Sequence, residues 1–135
     1  MNSATDAMIF MYHMTGEAKY VEAIKRAGDW LIEAQGDDIP LWADQYDPDN
    51  NPQWARAFEP PAWGVAATGL ATQGLREIYR LSGDERYLQA IQRAVEWMEG
   101  NLPDGEMSTF IEPGTGRAIA AWEREVYYLD NAEHV

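Results

Sequence analysis

The chain repeats itself at an offset of 67 residues, the distance from Tyr20 to Tyr87, and this limits its folding options more than any other feature. Thr15–Trp30 aligns with Ser82–Trp97, with identities at Gly16/Gly83, Tyr20/Tyr87, Ala23/Ala90, Ile24/Ile91, Arg26/Arg93, Ala27/Ala94 and Trp30/Trp97. Tyr20, Ala23, Ala27, Trp30 and Leu31 fall on one helical stripe, as do Tyr87, Ala90, Ala94, Trp97 and Met98. Midway alanines let helices approach closely, and the aromatic ends fill the space beside them. A further helix precedes each stripe, over Ala4–Met14 and over Val65–Leu81, and a glycine turn joins each pair into a hairpin. Past the second helix of each pair, the alternation predicts strand, turn and strand. In the second unit these are Met107–Glu112, Pro113–Gly116 and Arg117–Trp122, after a Gly100–Gly105 link, with Glu125–Leu129 as one more short strand and Asp130–Val135 as a frayed tail. The unit is therefore helix, helix, β-hairpin, occurring twice, over about 4–62 and 65–129.

This pattern predicts a mainly α single domain over residues 1–135, built as α/α toroid-type helical hairpins with short β-hairpins between them. A closed ring of six such pairs needs roughly 400 residues, because each repeat is covered only by its neighbours. Two pairs make a partial toroid, and the chain reads as an excerpt of a longer protein or a truncated product. Its uncovered repeat ends should be apolar and offer a surface for self-association.

The charge balance narrows the partners. With 23 acidic and 10 basic side chains the net charge is −13, which argues against nucleic acid as a partner, since phosphate binding needs a basic face. A polyanionic ligand would need a bridging cation. Without cysteine there is no disulfide, thiolate metal cluster or Cys nucleophile. No apolar run reaches membrane-spanning length, and the N-terminus carries no basic-plus-apolar leader.

The first hairpin region, Leu41–Ala62, concentrates the chemistry. Trp42, Asp44 and Tyr46 alternate with Ala43, Gln45 and Asp47. Pro48-Asp49-Asn50-Asn51-Pro52 predicts the turn, and Trp54, Arg56 and Phe58 alternate on a return strand that Pro60-Pro61 should end. Aromatic faces beside polar forks suit a sugar ring, so Trp42, Trp54 and Trp63 are read as either core or sugar platforms. Trp30 and Trp97 lie in amphipathic helices and read as core. Arg56 should sit opposite Ala43–Asp44, either as a cross-strand ion pair with Asp44 or as a planar fork aimed at a carboxylate ligand. The carboxylates Asp37, Asp38, Asp44, Asp47, Asp49, Glu59 and Glu112 are candidate turn formers, calcium ligands or an acid/base pair. No Ser-His-Asp signature, EF-hand or phosphate-binding glycine loop is present, and His13 reads as a packed helix residue.

Trp42-Ala-Asp-Gln-Tyr-Asp47, followed by Pro52-x-x-Ala-Arg-x-Phe-Glu-Pro-Pro-Ala62, resembles the signature of family-10 polysaccharide lyases, which are calcium-dependent pectate lyases with an α/α toroid module. Phe110-Ile-Glu-Pro-Gly-Thr-Gly-Arg-Ala-Ile119 is similar to a second block of that family. The likeness runs over nearly the whole chain and corresponds to the C-terminal half of the module. It implies β-elimination on polygalacturonate, with Arg56 as the base and calcium as cofactor. It also implies substrate contacts from Trp42, Asp44, Gln45, Asp47, Glu59 and Arg117, a calcium-linked carboxylate at Asp6, and a secreted or periplasmic location. The chain departs from the family at Asp44, where glutamine is usual, and at Thr5, where an acid is expected. Two rivals stand beside this reading. One is a non-catalytic glycan-binding or truncated helical-repeat protein. The other is a toroid glycoside hydrolase using paired carboxylates.

Overall fold

Four helices form in the expected order. In the computed structural model, which describes residues 2–101 and 110–129, they are α1 (Asn2–Thr15), α2 (Ala18–Ala34), α3 (Val65–Ser82) and α4 (Glu85–Asn101). The sequence repeat is a structural repeat down to single hydrogen bonds. Gly16 and Gly83 both take φ +68°, and each donates its N–H to the carbonyl of Tyr12 or Tyr79 at 2.7 Å. An L-residue in that left-handed conformation costs about 1 kcal/mol, so glycine ends both first helices. Thr15 and Ser82 donate to the carbonyls of Met11 and Ile78 at 2.8 Å and accept from the N–H of Glu17 and Asp84 at 3.2 Å.

The two hairpins meet through α2, which packs against both α3 and α4. Gly28 allows this: a Cβ there would stand 2.7 Å from the Tyr87 ring and 3.2 Å from Ile78 Cδ1. Tyr87 donates its hydroxyl to Asp29 at 2.8 Å, and Arg86 reaches the same carboxylate at 3.1 Å. Buried Gln35 donates to the carbonyls of Pro40 (2.8 Å) and Ala90 (2.9 Å) and accepts from Arg93 at 2.6 Å. Ile24, Leu31, Leu75, Ile78 and Leu41 fill the core around these contacts.

The β segments depart from the expected pair of separate hairpins. They join one five-stranded antiparallel sheet in chain order: β1 (Trp42–Ala43), β2 (Trp63–Gly64), β3 (Phe110–Ile111), β4 (Ala118–Trp122) and β5 (Glu125–Tyr128). The second hairpin, including its Pro113–Gly116 turn and the extra strand after it, forms as expected within the described residues. Its start at Met107, the Gly100–Gly105 link and the tail after Leu129 lie wholly or partly outside them.

The Trp54–Glu59 return strand does not form. β1 pairs instead with β2, placing Trp42 opposite Gly64 and Ala43 opposite Trp63. The expected turn forms, flanked by one antiparallel bridge between Tyr46 and Pro52 and by the Gln53 N–H bond to the Gln45 carbonyl at 2.9 Å, but beyond it local bonds win over the ladder. The Asp47 carboxylate accepts from the N–H groups of Asp49 and Asn51, both at 2.9 Å, and Asn50 turns the chain at φ +62°. Glu59 then accepts from the Arg56 N–H at 3.2 Å, and its own N–H donates to the Arg56 carbonyl at 3.0 Å, closing a second turn. Pro60 and Pro61 have no N–H to offer a ladder, so pairing resumes at Trp63 rather than ending before it.

Candidate functional site

The chain between β1 and β2 leaves the sheet and returns, and the residues it brings together form a recess of about 190 Å³ lined by Asp44, Phe58, Glu59, Gly64, Ala66 and Phe110. In the ladder, Trp42, Gly64, Phe110 and Ile119 stand in one transverse row. Asp44, two residues after Trp42, points to the same face. Gly64 keeps that face open: a Cβ there would lie 3.5 Å from Asp44 Oδ2 and 3.7 Å from Phe110. The Trp54–Glu59 segment is tied to the β4–β5 turn, whose Arg124 N–H donates to the Ala57 carbonyl at 2.8 Å. The Arg124 guanidinium also lies 6.0 Å from the Trp54 ring. This tie, made between residues remote in sequence, had no signal in the spacing.

Arg56 stands beside the recess with its side chain 70% exposed, held by a Glu59 side chain only 15% exposed. Arg56 Nε donates to Glu59 Oε1 at 2.9 Å, Nη2 adds a second contact to the same oxygen, and the guanidinium lies 4.5 Å over the Phe58 ring. The expected Asp44 pairing is thus replaced by an i,i+3 pair with Glu59, because the turn folds Glu59 back onto Arg56. That hydrogen-bonded pairing raises the Arg56 pKa above its ordinary value and lowers that of Glu59. Asp44 moves the other way. Desolvation by its surroundings, then the Glu59 charge, push its carboxyl above the ordinary range, with Arg56 opposing. Two carboxylates with opposite shifts therefore share one recess.

The remaining candidates divide. Trp42 is 2% exposed and donates Nε1–H to the Leu31 carbonyl at 2.8 Å, so it anchors β1 in the core. Its backbone N–H donates to Thr68 Oγ1 at 3.1 Å. Trp63 is buried too, and Trp54 is half-buried. Asp47 is a turn former, its carboxyl held below the ordinary range mainly by the Asn51 N–H. Gln45 is exposed beside it. Tyr46 accepts from the Ala43 N–H (2.9 Å), donates to the Ala34 carbonyl (3.0 Å) and meets Trp30 edge to face at 5.4 Å. Burial pushes its phenol to about 12, and it pins this region to α2.

Arg117 lies 3.8 Å over the Tyr128 ring, and Tyr128 and Thr115 both donate to Glu112. Tyr128 packs against the Ala62, Phe110 and Ile119 cluster, and Arg117 does not line the recess. Asp6 lies elsewhere, in a recess between α1 and α3 with Thr5, Gln73, Gly74, Arg76 and Glu77, which shares no lining residue with the Asp44 recess. Among the described residues no three acidic or histidine side chains converge on one point. Among the described residues no helix is long and apolar enough to cross a membrane. Comparison with family models, curated proteins and solved structures finds no match to this chain.

Proposed function

We propose that this chain is the arginine-bearing part of a calcium-dependent pectate lyase module acting on polygalacturonate. One observation carries the reading: an exposed, aromatic-backed arginine stands beside a recess holding two carboxylates, on the segment whose sequence resembles that family. In the proposed reaction, Arg56 faces the C5 proton of a uronate. The C5–H bond breaks as its proton passes to the neutral Arg56 guanidine, a C4–C5 double bond forms, and O4 departs, taking a proton from water. Glu59 keeps the guanidinium cationic, so two things precede abstraction: substrate displaces Glu59 from Arg56, and the guanidinium gives one proton to solvent, leaving a neutral guanidine with a free lone pair. Asp44, whose carboxyl is pushed above the ordinary range by desolvation, stands at the edge of the site. Calcium belongs to the proposal as the cation that reconciles an acidic protein with an acidic substrate. Asp6 is its candidate protein ligand, and other donors would come from substrate carboxylates or from outside this segment.

The test is ultraviolet absorbance at about 235 nm on polygalacturonate at alkaline pH, with and without chelator. A calcium-dependent rise that Arg56→Ala lowers by at least about a hundredfold supports the assignment. Turnover retained in that variant removes Arg56 from the role.

The opposite pKa shifts of Asp44 and Glu59 favour a second reading, a glycoside hydrolase with Asp44 as acid. Reducing sugar released without the unsaturated chromophore would select it. Oligosaccharide binding without either product would select the non-catalytic reading.

A further inference from the structure

The repeat allows each exposed position of the first hairpin to be compared with its equivalent in the second. Leu75 and Ile78 of α3 are 0% exposed because α2 covers them, whereas their equivalents at the 67-residue offset, Met8 and Met11 of α1, are each 37% exposed. Tyr87, Ala90 and Ala94 are buried against α2, while Tyr20, Ala23 and Ala27 are half-exposed. The polar contacts have counterparts as well. Arg86 and Tyr87 meet Asp29, and Arg93 meets Gln35. Lys19, Tyr20 and Arg26 occupy those three positions in the first hairpin. Lys19 pairs with Glu17 just as Arg86 pairs with Asp84.

We infer that the Met8–Met11–Tyr20–Ala23–Ala27 face is a docking surface for one more helical hairpin of this repeat type. Its second helix would carry a glycine against Tyr20, a carboxylate one residue later for Tyr20 and Lys19, and a glutamine seven residues after the glycine for Arg26 and the Ala23 carbonyl. That is the Gly28-Asp29…Gln35 pattern that α2 presents to α4. A second copy of the chain cannot dock its own α4 in this way. Val95 stands where Gly28 stands in α2, and even a single Cβ at that position would lie 2.7 Å from the tyrosine ring. The occupant is therefore a further repeat with the glycine.

The test fuses a copy of residues 1–67 ahead of Met1, recreating the Gly28-to-Tyr87 spacing between the copy's Gly28 and Tyr20. The copy carries Met8→Leu and Met11→Ile, so that only the original Met8 and Met11 report. Peroxide oxidation of those two methionines, read by mass spectrometry, should slow by at least about tenfold. With Gly28→Val in the copy it should return to within about twofold of the unfused chain. Unchanged oxidation overturns the inference, as does a copy that adds no helical circular dichroism. Sedimentation of the unfused chain should show a monomer. A dimer with Met8 and Met11 protected would assign the face to a second copy and overturn it as well.

Discussion

The segment after α2 and the segment after α4 occupy the same place in the repeat, yet they fold differently. After α4, the chain doubles back through Pro113–Gly116, with Gly114 and Gly116 at positive φ, and then through Glu123-Arg124, at φ +50° and +63°. Those turns suit the twist of antiparallel strands, so β3, β4 and β5 run in continuous register. After α2, β1 is only two residues long, and the chain wanders until β2. There Asp47 and Glu59 bond to nearby backbone N–H groups and close local turns in place of a ladder. The comparison teaches that one repeat position yields sheet where turn geometry matches strand twist. It yields a side-chain-rich loop, and with it a recess, where short acids capture the backbone.

The largest expected effect contrasts the tryptophans of the two segments. Trp42→Ala should destabilise the fold by about 3–5 kcal/mol, because it empties a core site and removes the Nε1–H bond to the Leu31 carbonyl. Trp122→Ala, at a position 64% exposed, should change stability by less than about 0.5 kcal/mol. Urea unfolding of both variants checks this, and equal losses would erase the distinction between the segments.

Glu59→Gln comes next. The Glu59 carboxylate is the main cause of the raised Arg56 pKa, so its loss should lower that pKa and move the rising limb of any lyase pH–rate profile to lower pH. An unshifted profile would mean that Arg56 is not the titrating base.

Gly64→Ala is subtler. Gly64 has φ −108°, which alanine adopts freely, and the new methyl makes only ordinary contacts, so stability should hold within about 0.5 kcal/mol. Turnover should fall about tenfold, because the methyl narrows the recess beside Asp44. Unchanged turnover would place substrate elsewhere.

The smallest effect is at Asp44. Its folded pKa is raised, so its contribution favours the fold below the unfolded carboxylate value and is lost as pH rises through the folded value. Asp44→Asn should therefore gain a few tenths of a kcal/mol near neutrality and nothing in acid, the size being limited by the exposure of Asp44. Thermal melts across pH would reveal the crossing, and a loss at neutral pH would reverse the assigned sign.

Helix positions, glycine turns and the repeat were legible in the sequence because they rest on local periodicity and on single residues such as Gly16 and Gly83. Arg56 and Glu59 were legible as candidates, since their residue types stand out in an aromatic and acidic segment. Their pairing with each other was not, because alternation alone suggested a strand with Asp44 across from Arg56. The role of Trp42 was also hidden: a tryptophan beside polar residues reads the same whether its ring meets solvent or α2.

By itself, then, the sequence determined two helical hairpins, their turns, the second β-hairpin and the residues that bear chemistry. The tertiary structure alone decided that β1 pairs with β2, that Arg124 ties down the Ala57 loop, and that Asp44 and Glu59 share a recess. It also decided that the α3 and α4 stripe is covered while the matching α1 and α2 stripe is not. The physical reason is range. Periodicity and turn preference act over a few residues, whereas strand partners, desolvation and repeat-on-repeat burial depend on what packing brings together from far along the chain.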